Sequence, residues 1–242
     1  MNKVWIITKR ELGSFFDSLI AYILLIAFLG FSGFFTWMYG ADVFFSGQAS
    51  LASFFNIAYW TLFLFIPLIT MRMLAEEKRS GTLDLMLTKA VSDRQIVLGK
   101  FMACVLLIFV ALLCTIPYYL TVASIGNVDH GSIICGYLAL LLLSGAYIAI
   151  GIYASSTTNN QIVAAMLALL ISLLFHLIFA VIAGSTQGVL AELMSFLSTT
   201  THFDSMTRGV IDSKDLLFFF SIMVMGIVMA EVNLAKRAIS GS

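Results

Sequence analysis

The sequence predicts an all-α integral membrane domain of six transmembrane helices. Its 242 residues are 61% hydrophobic and 11% charged, with a mean hydropathy of +1.03. A soluble chain of this length could not cover so much apolar surface, whereas a bilayer leaves it facing lipid. Six apolar stretches, at about 18–40, 54–74, 95–123, 133–155, 161–184 and 215–235, each approach the ~20 residues that cross a membrane. Lys and Arg are also segregated. In a six-span layout, eleven of the thirteen lie on the side of the termini and only Arg208 and Lys214 on the other. That asymmetry predicts a multi-pass membrane protein with both termini in the cytoplasm.

Residues 1–17 read as an interfacial helix. Lys3, Arg10 and Asp17 recur every seven residues on one face, and Trp5, Leu12 and Leu19 on another. Such a helix lies along the membrane surface with Trp5 at headgroup depth. The apolar stretch that follows is longer than a signal-peptide core and lacks a small-x-small cleavage site, so it reads as a retained span. Pro67 and Pro117 fall inside the second and third spans, where each removes a helix donor and is expected to bend its helix. In the fourth span, the Gly145-x-x-x-Ala149 spacing permits close helix approach. Between the fifth and sixth spans, Val189, Leu190, Leu193, Met194 and Leu197 predict a short amphipathic helix in the external segment 185–214. It either lies on the outer surface or dips back into the protein.

Several functions are excluded or disfavoured. There is no basic arm or acidic tail, so no nucleic-acid partner is expected. Cys104, Cys114 and Cys135 form no C-x-x-C pair, so neither a metal site nor a disulfide framework is expected. The phosphate-loop pattern is missing: Gly99-Lys100 runs into Phe101. No H-E-x-x-H or G-x-S-x-G occurs. His176 lies deep in the fifth span, where a lone His can relay protons. No carboxylate stands in the middle of any span to partner it, which favours a neutral, hydrogen-bonded His. An intramembrane enzyme using His176 or His202 has no visible paired catalytic set. A non-transporting scaffold is the remaining alternative to a transport subunit.

The segment 71–101 is the most informative. It holds six of the thirteen basic residues between two apolar spans. Glu76, Glu77, Lys78 and Arg79 form a charged elbow, and Gly81 can end the helix. Thr82, Leu83, Asp84, Leu85, Met86, Leu87 and Thr88 can form a short helix with Leu83, Met86 and Leu87 on one face. Ser92 to Gln95 fits a capping box, so the third span is expected to start near Asp93.

This segment resembles the permease subunits of type-2 ABC transporters. The match is the elbow Glu76-Glu77-Lys78-Arg79, then Ser80-Gly81-Thr82-Leu83-Asp84-Leu85-Met86-Leu87, then Gly99-Lys100-Phe101. It extends to Lys-Arg-Glu-Leu at 9–12, to Ser-Ser-Thr-Thr-Asn-Asn-Gln at 155–161, and to the external stretch from His202-Phe203 to Arg208-Gly209-Val210-Ile211-Asp212. Within the family the chain is most similar to the gliding-motility-associated, GldF-type permease, with the nitrous-oxide-maturation permease a near neighbour. A polysaccharide-exporting permease fits the span count equally well.

The resemblance implies a permease of the bacterial inner membrane without ATPase activity of its own, driven by a separate ABC ATP-binding subunit that carries ATP and magnesium. It implies a coupling helix at 82–88, gripped by that subunit through Leu83, Met86 and Leu87, with Glu76, Glu77, Lys78 and Arg79 beside it. It also implies an external helical hairpin between the fifth and sixth spans. A second permease half is implied too, either another copy or a distinct membrane partner such as a GldG-type protein. That half would pack on the first and fifth spans, where Gly30, Gly33, Ala164, Ala165 and Ala168 offer small surfaces.

Overall fold

The computed structural model describes residues 3–38, 49–82 and 91–240, with side chains described through Lys236. Among these residues the regular structure is helical throughout. Six helices are long and apolar enough to cross a membrane: Leu19–Trp37, Ala52–Ser80, Asp93–Ile125, His130–Thr157, Gln161–Ser185 and Ser213–Lys236. These bounds agree with the expected spans to within a few residues at most ends; the second runs on through the charged elbow to Ser80.

The fourth span is the axis of the bundle. Of its most apolar stretch 78% is buried, against 28% in the first and fifth spans. It packs on the second, third, fifth and sixth spans, most extensively on the sixth. The small residues explain why. A Cβ on Gly145 would come within 2.7 Å of Met223, and one on Gly226 within 2.8 Å of the Ala149 carbonyl. Helices without side chains at the crossing approach until their backbones touch, and the gain is van der Waals packing that lipid cannot match. Gly145 and Ala149 were legible as a packing pair; Gly226, which faces Ala149, is the missing half of that contact.

Three breaks shape the spans. The second divides into α3 (Ala52–Thr70) and α4 (Arg72–Ser80), and it divides at Met71 rather than at Pro67. The cause is a hydroxyl from the fourth span. Ser155 Oγ donates to the Met71 carbonyl at 2.9 Å and accepts from the Leu74 and Ala75 amides at 3.0 Å each. A side chain inserted into the ladder in this way kinks a helix while leaving its polar groups satisfied. The third span divides at Thr115, whose hydroxyl donates to the Leu112 carbonyl at 2.7 Å; Pro117 then sits in the first turn of the next helix, where its missing amide is tolerated. The fifth span carries a π-helical turn over Leu174–Ile178. Such a turn widens the ladder and occurs frequently at functional sites.

The helix starts follow local chemistry. Ser92 and Gln95 complete the expected capping box, so the third span begins at Asp93. Gly81 ends the elbow helix with φ +70°, a left-handed conformation that favours glycine. At the end of the bundle away from the termini, α10 (Val189–Leu197) and α11 (Thr199–Thr207) form the expected hairpin. The first of these helices lies on the surface with Val189, Leu190 and Leu193 exposed, while the second buries Thr199, His202, Phe203 and Met206.

The amino-terminal helix α1 (Lys3–Asp17) exposes Trp5, as a surface helix should, but it also packs closely on the third span. A Cβ on Gly99 would come within 2.7 Å of Ile7, and Thr8 donates to the Gly99 carbonyl at 3.1 Å. Thr8 is buried in this contact, and Phe15 is buried with Arg72 of the elbow helix 5.8 Å from its ring centre.

Candidate functional site

At the end of the bundle that carries both termini, three elements meet around one buried lysine. Lys100 lies two turns into the third span and is 1% exposed. A buried ammonium needs partners, because desolvation would otherwise neutralise it. It has two. Its Nζ is 2.8 Å from Glu77 on the elbow helix α4 and 3.3 Å from Glu11 on α1. Arg10 completes the cluster, in direct contact with Glu11 and 3.5 Å from Glu77. Burial pushes the Glu11 carboxyl up, but Lys100 and Arg10 together outweigh it and hold Glu11 below the usual carboxylate range.

The rest of the elbow is held from the fourth and sixth spans. Lys78 Nζ donates to the Ser156 carbonyl. Ser156 Oγ in turn accepts from Asn233 of the sixth span at 3.1 Å. Arg94, at the start of the third span, is 3.7 Å from Glu231 of the sixth. The elbow thus touches α1 and the third and fourth spans directly, and the sixth through Ser156. A cleft of about 620 Å³ opens beside it, lined by Arg10, Glu11, Arg72, Glu76, Glu77 and Lys100 among others.

Of the residues singled out in the sequence, Glu77 and Lys78 are tied into this assembly, and Glu76 and Thr82 line its cleft. Arg79 is exposed at the end of the helix that Gly81 caps. Leu83, Asp84, Met86 and Leu87 lie outside the described residues. The small residues proposed for a second permease half are mostly turned inward. Ala164, Ala165 and Ala168 are buried, and a Cβ on Gly33 would come within 2.8 Å of Tyr118 Oη; only Gly30 faces open space. Sequence reading missed Glu11, Lys100 as an ion-pair centre, and Ser155. Two signals were available. Val4, Thr8, Glu11 and Phe15 recur at helical spacing, so a carboxylate sits in a packing stripe. Lys100 also lies inside an apolar span, which demands a counter-charge.

A second polar centre lies toward the opposite end, and it is structural in its connections. His176, on the π turn, stacks between Tyr59 and Phe63 at 4.1 and 4.3 Å. Its Nδ1 shares a 2.7 Å hydrogen bond with the Tyr147 hydroxyl. Thr199 and Thr200 donate to the Phe175 and His176 carbonyls at 3.0 and 2.9 Å. His176 is thus hydrogen-bonded, as the sequence favours, and no carboxylate is among its bonded partners in the described residues; its Nε2 is buried without a partner. His202 joins Asp215 at 2.6 Å through Nδ1 and the Phe196 carbonyl at 2.9 Å through Nε2, which fastens the hairpin to the sixth span. A carbonyl only accepts, so Nε2 carries a proton.

Six spans around a small-residue axis, with a charged elbow at one end, define a multi-pass helical membrane protein. The chain belongs to the ABC-2 family transporter proteins, whose pattern it matches over residues 39–235. It is therefore a multi-pass membrane permease subunit of an ABC transporter, and that family implies an ABC ATP-binding partner. No curated protein matches the chain.

The elbow kink gives a direct prediction. Ser155→Ala leaves the Leu74 and Ala75 amides without their hydroxyl partner, at about 1–3 kcal/mol for each buried donor left unsatisfied. The expected result is a lowered Tm in detergent. Ser155→Thr keeps the hydroxyl and is expected to recover part of the loss; an Ala variant as stable as the parent would count against the inserted-hydroxyl account.

Proposed function

We propose that this chain is the permease half of an ATP-driven exporter or mechanochemical complex, energised by a separate cytoplasmic ATP-binding subunit that grips residues 82–88. The observation that carries this reading is the Glu77–Lys100–Glu11 cluster. It ties the base of the proposed docking segment to the amino-terminal helix and the third span. A push on that segment then moves three packed elements together rather than bending a loop. The 11-to-2 division of Lys and Arg supports a cytoplasmic position for this end of the bundle. ATP and magnesium belong to the partner.

The second permease half docks on the outward faces of the first and fifth spans. Their burial within the single chain is low, and they expose Ile23, Ile26, Ile162 and Met166. Gly30 lies on this free surface, whereas Gly33, Ala164, Ala165 and Ala168 serve the chain's own packing. The partner half is another copy or a distinct GldG-type protein. Motif similarity favours a role in gliding motility; export of lipid or polysaccharide and nitrous-oxide maturation are the other branches that suit the same architecture.

The test is binding. Leu83→Asp or Leu87→Asp puts a charge into an apolar contact, at a few kcal/mol, or about a hundredfold in affinity. The permease is expected to insert and fold but to lose its ATP-binding subunit in pull-down. Unchanged pull-down with a well-folded Leu83→Asp protein would remove this helix as the docking element.

A further inference from the structure

The cleft beside the elbow and an apolar groove lie one after the other along the same two stretches of chain: Ile20 follows two residues after Ser18, and Arg72 three residues after Ile69. In the cleft, one wall carries Ser14 and Ser18 and the other Arg72, Met73 and Glu76. In the groove, the first wall continues as Ile20, Ile23, Leu24 and Ala27, and the second as Phe65, Leu68 and Ile69. The seam between the first and second spans is therefore polar at the terminal end and apolar immediately deeper. A soluble anion would use only the upper part. An amphiphile would use both.

The charges choose the headgroup. Arg10, Glu11, Glu77 and Lys100 pair with one another, although Glu77 Oε2 is buried without a hydrogen-bond partner. Arg72 and Glu76 remain, and they make no ion pair among the described residues. Arg72 is held at one side of the cleft, its guanidinium 5.8 Å from the centre of the buried Phe15 ring. Glu76 is exposed four residues further along the same helix, so both side chains lie on one face a single turn apart. One free guanidinium and one free carboxylate at that spacing suit a phosphate and an ammonium joined by a two-carbon linker. A guanidinium pairs with phosphate oxygens through a planar fork of N–H donors. A carboxylate only accepts, so it favours a primary ammonium, which donates, over a quaternary one.

We propose that this seam is a binding site for a phosphatidylethanolamine-type phospholipid of the cytoplasmic leaflet. Arg72 holds the phosphate, Glu76 the ammonium, and the groove between the first and second spans an acyl chain. The site requires that the protein reside in a membrane with its elbow at the headgroup layer; it does not require that the protein transport anything.

The test is native mass spectrometry of the full-length protein in mild detergent, offered phosphatidylethanolamine, phosphatidylcholine and phosphatidylglycerol at equal concentration. The parent protein is expected to retain phosphatidylethanolamine preferentially. Arg72→Gln is expected to weaken that retention about tenfold, the loss of one charge-assisted contact. Glu76→Gln is expected to abolish the preference over phosphatidylcholine, and Ala27→Phe, which fills the groove, to weaken retention of all three lipids. Glu76 is exposed, so its variant remains informative if Arg72→Gln folds poorly. Equal retention of the three headgroups by the parent protein would overturn the proposal, as would a Glu76→Gln protein with an unaltered preference. Either result would leave the ATP-binding pull-down unaffected.

Discussion

Lys100→Met is expected to destabilise the protein by about 3–5 kcal/mol, because removing one partner of a buried ion cluster leaves the others uncompensated. Glu77 and Glu11 are 14% and 11% exposed and have no second buried cation among the described residues, since Arg10 is half in solvent. The substitution keeps most of the side-chain volume, so the loss reads charge rather than packing. The measurement is Tm in detergent together with the pull-down yield of the ATP-binding subunit. Adding Glu77→Gln and Glu11→Gln to Lys100→Met should recover much of the stability, since no isolated charge then remains. Acid acts on the same cluster. Glu11 is held below its ordinary value, so its contribution is complete above the usual carboxylate range and is lost as the pH falls through the lowered value. A Lys100→Met protein as stable as the parent would show that the cluster contributes nothing.

Gly226→Leu is expected to have the next largest effect. Its Cβ alone would stand 2.8 Å from the Ala149 carbonyl, which is backbone and cannot turn aside. The fourth and sixth spans would have to separate along the most extensive contact in the bundle. Overpacking costs about 1–3 kcal/mol in ordinary cores and more where the obstacle is main chain. Gly30→Leu is the control, because nothing lies within 4 Å of its Cβ position. The pair should differ sharply in yield and Tm as monomers. If they do not, the close crossing is not what holds the fourth span at the centre.

The six spans were legible because a bilayer imposes one length and one polarity on anything that crosses it. The capping box at Ser92 and the stop at Gly81 were legible because they depend on neighbours in sequence. Ser155 was not. Its hydroxyl acts on amides some eighty residues away, and nothing local distinguishes it from Ser156 or any other hydroxyl at a helix end. Pro67 lies inside the helix Ala52–Thr70, and the division falls four residues later, at the carbonyl and amides that the Ser155 hydroxyl engages. The inward turn of Ala164, Ala165 and Ala168 was equally hidden. Small residues mark close approach without saying to which neighbour. Glu11 and Lys100 were halfway legible, since each is a charge in an apolar stripe, but only the folded chain pairs them.

The π turn in the fifth span has a mechanical meaning. Two threonines of the hairpin grip the carbonyls of Phe175 and His176, and a third grip, His202 on Asp215, belongs to the sixth span. The widened turn is thereby riveted to the hairpin, and the hairpin to the start of the sixth span, so three stretches far apart in sequence share one set of polar bonds.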